Sequence, residues 1–402
     1  MVCVAVICEY NPFHNGHKYH IDSIRRTYGD DCAVIALMSG NYTQRGDLAL
    51  TDKVCRAAAA VSCGVNLVLE LPFPYSAASA DMFAAAAVHI LCELGAVDVL
   101  SFGSECGDTA RLLRVAQRTS ADDFRSKVKS YVKEHPAVGY AAAVTAVYRT
   151  NFGDGDTDIF TEPNNTLALA YLRAAYEEKA PFSYHTVTRV GSAYNETALA
   201  DKYPSATALR SAISEGRDIR GFVPAECFPF LEKAVAESRL PADAERLYPA
   251  VLSSFLLNDS GASECNIQDA TGGLYHRLRR FSKEATSLSS LIALSETKKF
   301  TRARIRRAVL FSLLGVTSSD AKSQPAYTQL LAADCLGLSV LKKVRKTADI
   351  PILTKPADTA RLSGAALRQK ALSDKADMLY AVATPQASLP ADALRFTPFI
   401  KK

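Results

Sequence analysis

Two hydrophobic patterns alternate along the first hundred residues. Val2–Cys8 is a continuous apolar run, the mark of a strand buried on both faces. Mixed spacing from Gly16 to about Arg26 predicts a helix. Cys32–Met38 predicts a second strand, and Asp52–Cys63 a helix stopped by Gly64. Asn66–Leu71 predicts a third strand, Ser76–Leu94 a helix stopped by Gly95, and Val97–Phe102 a fourth strand. Strands alternating with helices at this spacing build a parallel sheet with right-handed crossovers. Residues 108–150 read as polar helix, an insertion on one face. Asn164–Glu178 reads as a helix, Tyr184–Val190 as a fifth strand and Ser205–Glu215 as a short helix. Beyond about residue 245 the period changes. Ala303, Ile305, Val309, Leu310, Leu313 and Leu314 recur at helical spacing, and strand-like alternation is scarce. The expected fold is α/β: a Rossmann-like parallel-sheet domain over 1–240, then a mainly helical domain over 241–402.

Composition narrows the class. The chain has 402 residues, 48% hydrophobic and 22% charged, as in an ordinary soluble globular protein. Disordered, collagen-like and disulfide-scaffold readings are excluded. The most apolar long stretch, Ser76 to Cys92, is mostly alanine and carries Asp81, so it reads as a buried helix rather than a membrane span. The first residues lack the basic start and cleavage site of a secretory signal. Ten cysteines at irregular spacing, without a C-x-x-C pair, oppose structural zinc and disulfides. A reducing, cytoplasmic location is expected. Charge is unevenly placed. Residues 1–240 hold 23 Lys+Arg against 28 Asp+Glu, a net of −5. Residues 241–402 hold 24 against 14, a net of +10. The two halves are expected to meet different partners.

Common nucleotide signatures are missing: there is no G-x-G-x-x-G, no G-x-x-x-x-G-K-[ST] and no H-E-x-x-H. Asp154, Asp156 and Asp158 imitate the start of a calcium loop. Ile159 and Asn165 stand where that loop needs Gly and Glu, so an acidic turn is expected. The informative motif is His14-Asn15-Gly16-His17, after the first strand and at the start of the first helix. Imidazoles three apart face the same way. The helix end offers free N–H groups and a positive dipole, a natural phosphate site. Gly16 clears space for a phosphate to approach the backbone. The imidazoles can donate to a phosphate that gains charge during displacement. Ser205-Ala206-Thr207-Ala208-Leu209-Arg210 opens another helix. Ser205 or Thr207 can cap it, and Arg210 can reach the same anion as a fork.

H-x-G-H with S-x-T-x-x-R resembles the nucleotidylyltransferase superfamily. The fuller run from Cys8 to His20, with Met38-Ser39-Gly40-Asn41-Tyr42-Thr43-Gln44-Arg45-Gly46-Asp47, resembles the bacterial tRNA(Met) cytidine acetate ligase family. The resemblance continues through Glu70-Leu71-Pro72, Phe102-Gly103-Ser104-Glu105, Pro163-Asn164-Asn165 and Thr188-Arg189-Val190-Gly191. In the C-terminal part it rests mainly on Thr297 to Arg304. The chain departs from the family pattern mildly, at Val190 and over Asp47-Leu48-Ala49-Leu50. The resemblance implies an ATP-dependent ligase. Acetate is activated as acetyl-adenylate, and the acetyl group passes to N4 of the wobble cytidine of elongator tRNA(Met). It implies an ATP site made of Ile7, Cys8, Glu9, Tyr10, Asn11, Pro12, Phe13, His14, Asn15, Gly16, His17, Lys18, Tyr19, His20, Gly103, Asn164, Asn165, Arg189 and Val190. Ser205, Thr207 and Arg210 would hold the pyrophosphate end, and His14 and His17 are the catalytic candidates. Mg²⁺ is expected with the ATP, and no side-chain metal site.

The residues leave some roles open. Gly103 sits at the carboxyl edge where open α/β sheets bind ligands, or is a plain turn glycine. Asn164 and Asn165 either cap the helix behind Pro163 or touch the nucleoside. Arg189, read as ending a buried strand, is expected to need an anion. Ser39, Asn41, Gln44 and Arg45 either hold acetate or cytidine or form a structural loop. Three basic clusters mark the second half: Arg277-Arg279-Arg280, Lys298 to Arg307, and Lys342-Lys343-Arg345-Lys346. They are either solvated faces or a grip on RNA phosphates, and the +10 imbalance favours RNA. DNA and membrane partners are not expected. The competing function is a small-molecule nucleotidylyltransferase that releases pyrophosphate from ATP. It would use the same phosphate-binding residues.

Overall fold

The structure is a computed structural model that describes residues 1–189, 204–257, 266–385, 394–395 and 397–402. In chain order the first half runs β1 (Cys3–Cys8), α1 (Asn15–Tyr28), β2 (Ala33–Ser39), α2 (Lys53–Ser62), β3 (Leu67–Leu71), α3 (Ala80–Glu93) and β4 (Val99–Ser104). The insertion α4 (Thr109–Ser120), α5 (Asp122–Glu134) and α6 (Tyr140–Phe152) follows. Then come α7 (Pro163–Glu177), β5 (Ser183–Thr188), α8 (Ala206–Ser214) and α9 (Phe228–Ala236). The second half begins with α10 (Tyr248–Leu257), α11 (Leu274–Phe281), α12 (Leu288–Ser295), α13 (Arg302–Leu314) and α14 (Ser318–Lys322). It ends with β6 (Thr328–Ala333), α15 (Cys335–Thr347), β7 (Ile352–Leu353), α16 (Gly364–Val382) and β8 (Phe399–Ile400).

Five parallel strands, in the order β5-β4-β1-β2-β3, make the Rossmann-like sheet that the patterning predicts. Every residue of β2 and β3 is buried, which explains runs that are apolar but for Ser39 and Glu70. Alternate residues serve opposite faces. Cys3, Ala5 and Ile7 pack with α3, α7 and α15. Val4 and Val6 pack with Ile21 and Ile24 of α1 and the alanines of α2. The long helix expected from Ser76 is broken: a short 3-10 turn covers Tyr75–Ala77, and α3 begins at Ala80.

The segment after residue 245 is mainly helical, and its core of Val251, Phe255, Leu278, Leu291, Val309 and Phe311 is shared with Tyr42, Phe73 and Ala77 of the first half. It also returns three short strands to the sheet. β6 runs antiparallel beside β3, and β7 and β8 pair with β6. A buried ionic triad fastens the halves together. Lys53 Nζ lies 2.8 Å from Glu70 Oε1 and 2.6 Å from Asp377 Oδ2 on α16. Asn41 Nδ2 donates to the other Asp377 oxygen at 2.9 Å.

Candidate active site

Strand order reverses between β1 and β4, so the carboxyl ends of these neighbours open a crevice. The chain leaves β1 through a tight turn with Tyr10 at φ +46° and a cis Asn11–Pro12 bond. A left-handed aromatic residue costs ~1–2 kcal/mol, so its surroundings must hold it. Asn11 Oδ1 accepts the Leu50 N–H at 2.7 Å. Arg56 donates to the Glu9 carbonyl at 2.5 Å, and Arg210 Nη1 to the Asn11 carbonyl at 2.9 Å.

That turn delivers the histidines. His14 is the N-cap of α1, and its Nδ1 accepts from Gly16 N at 3.0 Å. His17 Nδ1 accepts from His14 N at 3.2 Å, completing a capping box built from imidazoles. The rings stack with centroids 3.7 Å apart, and Tyr10 and Phe13 pack against His17. Burial pushes the His14 pKa down to about 3, helped by Arg189 and Arg210. Burial also holds His17 well below the ordinary range, with His14 adding to it. Both rings are therefore neutral at pH 7. A neutral ring that accepts at Nδ1 carries its proton on Nε2, so each ring has one donor left for a ligand. Gly16 has a reason beyond backbone approach. A Cβ there would sit 2.9 Å from His14 Cε1, so any side chain would displace the capping imidazole.

A cavity of about 460 Å³ opens over this turn. Of the expected ATP-site residues, Ile7, Cys8, Glu9, Tyr10, Asn11, His14, Gly16, His17, Tyr19, His20, Gly103, Asn164, Arg189, Ser205 and Arg210 line it. Burial raises the Cys8 thiol, so it stays protonated and is no nucleophile. Ser205 caps α8 by accepting from Ala208 N at 3.0 Å. Thr207 Oγ1 accepts from Arg210 Nη2 at 3.1 Å, aiming the guanidinium from outside the wall.

Pro12, Phe13, Asn15, Lys18, Thr207 and Asn165 are not in the wall. Lys18 pairs with Asp22. Asn15 bonds the Gly221 and Phe222 carbonyls and so ties α1 to the chain after α8. Asn165 is 2% exposed, and its Oδ1 accepts from Glu105 N and Cys106 N at 2.9 and 3.2 Å, so it shapes the β4–α4 turn. Asn164 Oδ1 accepts from Arg189 Nη1 at 2.8 Å. The burial argument for Arg189 fails. β5 is the edge strand, Arg189 follows it exposed, and the side chain reaches the rim. Val190 lies outside the described residues.

Of the polar loop after β2, Gln44 and Arg45 reach the cavity, with Thr43 and Asp47. Ser39 and Asn41 are structural, bonding Cys8 O and Asp377. The sequence reading missed Asp47, Tyr171, Leu167 and Phe83 as wall residues. The last three sit on helices at core spacing, which hides them. Asp47 also pairs with Arg306 of α13, Oδ1 to Nη1 3.0 Å. Gly46, at φ +79°, lets this loop press on α13, where a Cβ would meet Arg307 N at 2.8 Å. The carboxylates of the acidic turn are taken by arginines. Asp156 takes Arg111, Arg114, Arg118 and Tyr148, and against the effect of burial its bonds to Arg111, Arg114 and Tyr148 lower its pKa to about 2. Among the described residues no group of three or more His, Cys, Asp or Glu is placed to hold a metal ion. Nor is any described helix long and apolar enough to cross a membrane.

A Rossmann-like sheet with paired neutral imidazoles over its switch point defines a nucleotidyl transferase of the H-x-G-H kind. The sequence model of the HIGH Nucleotidyl Transferase family matches residues 1–392. The tRNA(Met) cytidine acetate ligase of Caldanaerobacter subterraneus subsp. tengcongensis is 33% identical over 368 residues, 89% of each chain. That of Thermosipho melanesiensis is 32% identical, over 89% of this chain and 85% of the relative. The crystal structure of Thermotoga maritima TmcAL without ligand superposes with a TM-score of 0.93 at 29% identity, over 100% of this chain and 99% of that one. The same protein bound with alpha-thio ATP gives 0.90 at the same identity and coverage. The chain belongs to the tRNA(Met) cytidine acetate ligase family.

Proposed function

We propose that this enzyme binds ATP in the cavity over β1 and β4 and activates acetate as acetyl-adenylate. It then transfers the acetyl group to N4 of the wobble cytidine of elongator tRNA(Met), in the cytoplasm. The observation that carries the reading is the stacked His14–His17 pair, with one N–H donor left on each ring in a cavity of about 460 Å³. That volume suits a nucleotide. The structural relative with alpha-thio ATP and the relatives named for the tRNA reaction support it.

The chemistry follows from positioning and charge. A carboxylate oxygen of acetate attacks the α-phosphorus, and pyrophosphate leaves. His14 and His17 donate to the phosphate oxygens that gain charge. Arg210 and Arg189, two of the three arginines in this wall, take the pyrophosphate end. The cytidine amine then attacks the acetyl carbonyl, AMP leaves, and the nitrogen gives up a proton. No protein nucleophile is required. Mg²⁺ keeps several waters and binds through phosphates with one or two carboxylates. Glu9 and Asp47 are the carboxylates in this wall, so a nucleotide-borne Mg²⁺ fits, screening phosphate charge. The test is mass analysis of nucleosides from tRNA incubated with ATP and acetate. N4-acetylcytidine at the anticodon of tRNA(Met) supports the proposal. A free dinucleotide product with untouched tRNA would favour the small-molecule nucleotidylyltransferase.

A further inference from the structure

A hydrogen-bonded chain leads from the cavity to the sheet edge. His20 lies one turn after His17 on α1 and lines the cavity. Its Nε2 is 2.7 Å from Ser101 Oγ on β4. Ser101 Oγ is 2.9 Å from His185 Nδ1 on β5. β4 and β5 pair in parallel with Ser101 and His185 in register, so both side chains stand on the face that α1 covers. Ser101 is fully buried, whereas His185 on the edge strand is half-buried and packs against Tyr28. No step above uses Ser101 or His185.

A serine hydroxyl has one proton. Ser101 can donate to only one of the two imidazoles and must accept from the other if both contacts are hydrogen bonds. His20 and His185 are both pushed toward the neutral form, chiefly by burial, with His20 at about 4. Two arrangements remain. In one, His20 Nε2–H donates to Ser101, leaving His20 Nδ1 as an acceptor. In the other, His185 Nδ1–H donates to Ser101, Ser101 donates to His20 Nε2, and His20 carries its proton on Nδ1. Nδ1 is the ring nitrogen left for the cavity. The charged group that acts on His20 is Arg189, which lines the same cavity, and its titratable neighbours are His17, also in the cavity wall, and His185, beyond Ser101 on the Nε2 side. A lone pair suits that cation when the cavity holds no anion, and an N–H donor suits a phosphate.

We propose that Ser101 and His185 are positioning residues forming a tautomer relay that presents His20 Nδ1–H to the bound nucleotide's phosphates. The switch conserves charge. The His20 Nε2 proton passes to Ser101, and the Ser101 proton passes to His185 Nδ1. His185 releases its Nε2 proton to solvent, and His20 Nδ1 takes one from water in the cavity. The inference rests on the ATP reading of the cavity.

The test is imidazole ¹⁵N–¹H correlation NMR on the full chain, with and without α,β-methylene-ATP. Resonances are assigned with His20→Gln and His185→Asn. The expected result is His20 with its proton on Nε2 alone and on Nδ1 with the analogue. Ser101→Ala should abolish that change and slow acetate-dependent ATP–pyrophosphate exchange about tenfold, the scale of one hydrogen bond. His185→Leu should do the same, and His185→Asn, which keeps an amide donor, should restore most of the rate. If the analogue moves the His14 and His17 signals while His20 keeps its Nε2 proton, the relay is wrong and the ATP reading stands. If no histidine signal responds to the analogue, the ATP reading fails first. A Ser101→Ala enzyme with the wild-type tautomers and rate also overturns the relay.

Discussion

The β1–α1 turn and the basic second half both stand out in the sequence, but the structure treats their charged and polar groups differently. At the turn, the motif residues converge. His14, Gly16, His17 and His20 share one wall, and the capping bonds there orient ring donors toward the cavity. In the basic half, many of the flagged cations have work inside the protein. Arg277 caps the carbonyls of Leu294 and Ser295, and Arg304 those of Asp269 and Thr271. Arg307 is buried on Asp269 at 2.5 Å, and Arg306 braces Asp47 in the cavity wall. Lys298, Lys342, Lys343 and Lys346 are exposed. Local spacing dictates geometry, so a short motif can be read. A net charge does not say which cations face water.

The largest effect is expected at the joint between the two regions. Lys53→Ala leaves the buried Glu70 and Asp377 carboxylates without their cation, and breaking such a cluster costs ~3–5 kcal/mol. Chemical denaturation should show that loss as one shared transition. Two separated transitions in the wild-type protein would mean that the halves fold independently.

His17→Ala should lower acetate-dependent ATP–pyrophosphate exchange by ~100- to 1,000-fold, the usual value of one transition-state donor. Stability should fall by about 1–3 kcal/mol, since the fold gives up one capping bond and the packing of the ring on His14, Tyr10 and Phe13. Wild-type exchange in that variant would remove the phosphate role from the turn.

The contrast among cations can be sharpened by charge reversal. Arg306→Glu faces Asp47 with a second carboxylate and should slow exchange by about tenfold without RNA present. Lys342→Glu, Lys343→Glu and Lys346→Glu together should leave exchange unchanged and weaken tRNA binding. The slope of log K against log salt should become shallower by roughly 0.7–0.9 for each phosphate that is no longer neutralised. An unchanged salt slope would mark that helix face as merely solvated.

The smallest effect concerns acid. His14 and His20 have pKa values lowered from 6.5 to about 3 and about 4. Below pH 6.5 the unfolded chain takes up protons that the folded rings refuse. Their contribution to stability is thus complete above pH 6.5 and is lost as pH falls to about 4 for His20 and about 3 for His14. Thermal midpoints should drop across that window, and His20→Gln should reduce the slope. An identical pH profile would mean that His20 is protonated as easily folded as unfolded.

Much of this architecture is legible in the sequence. β1 and β2 announce themselves because strands buried on both faces leave nearly unbroken apolar runs, and β3 and β4 keep enough of that pattern around Glu70 and Ser101 to be read. β6 does not. Thr328–Ala333 is mixed in character and pairs with β3, more than 250 residues away, so no local pattern reports it. β7 and β8 have two residues each, too short to show a period. In the site, the histidines and Arg210 carry a readable spacing. Tyr171 and Phe83 carry none, because a cavity wall on a helix has the same period as a core. Asp47 is hidden for another reason: its partner Arg306 lies 259 residues away and reads as basic surface.

The most direct test of the account is exchange of labelled pyrophosphate into ATP by the purified enzyme without RNA. The account predicts exchange that requires acetate and disappears in His17→Ala. Exchange that is indifferent to acetate, or that persists in His17→Ala, would contradict it.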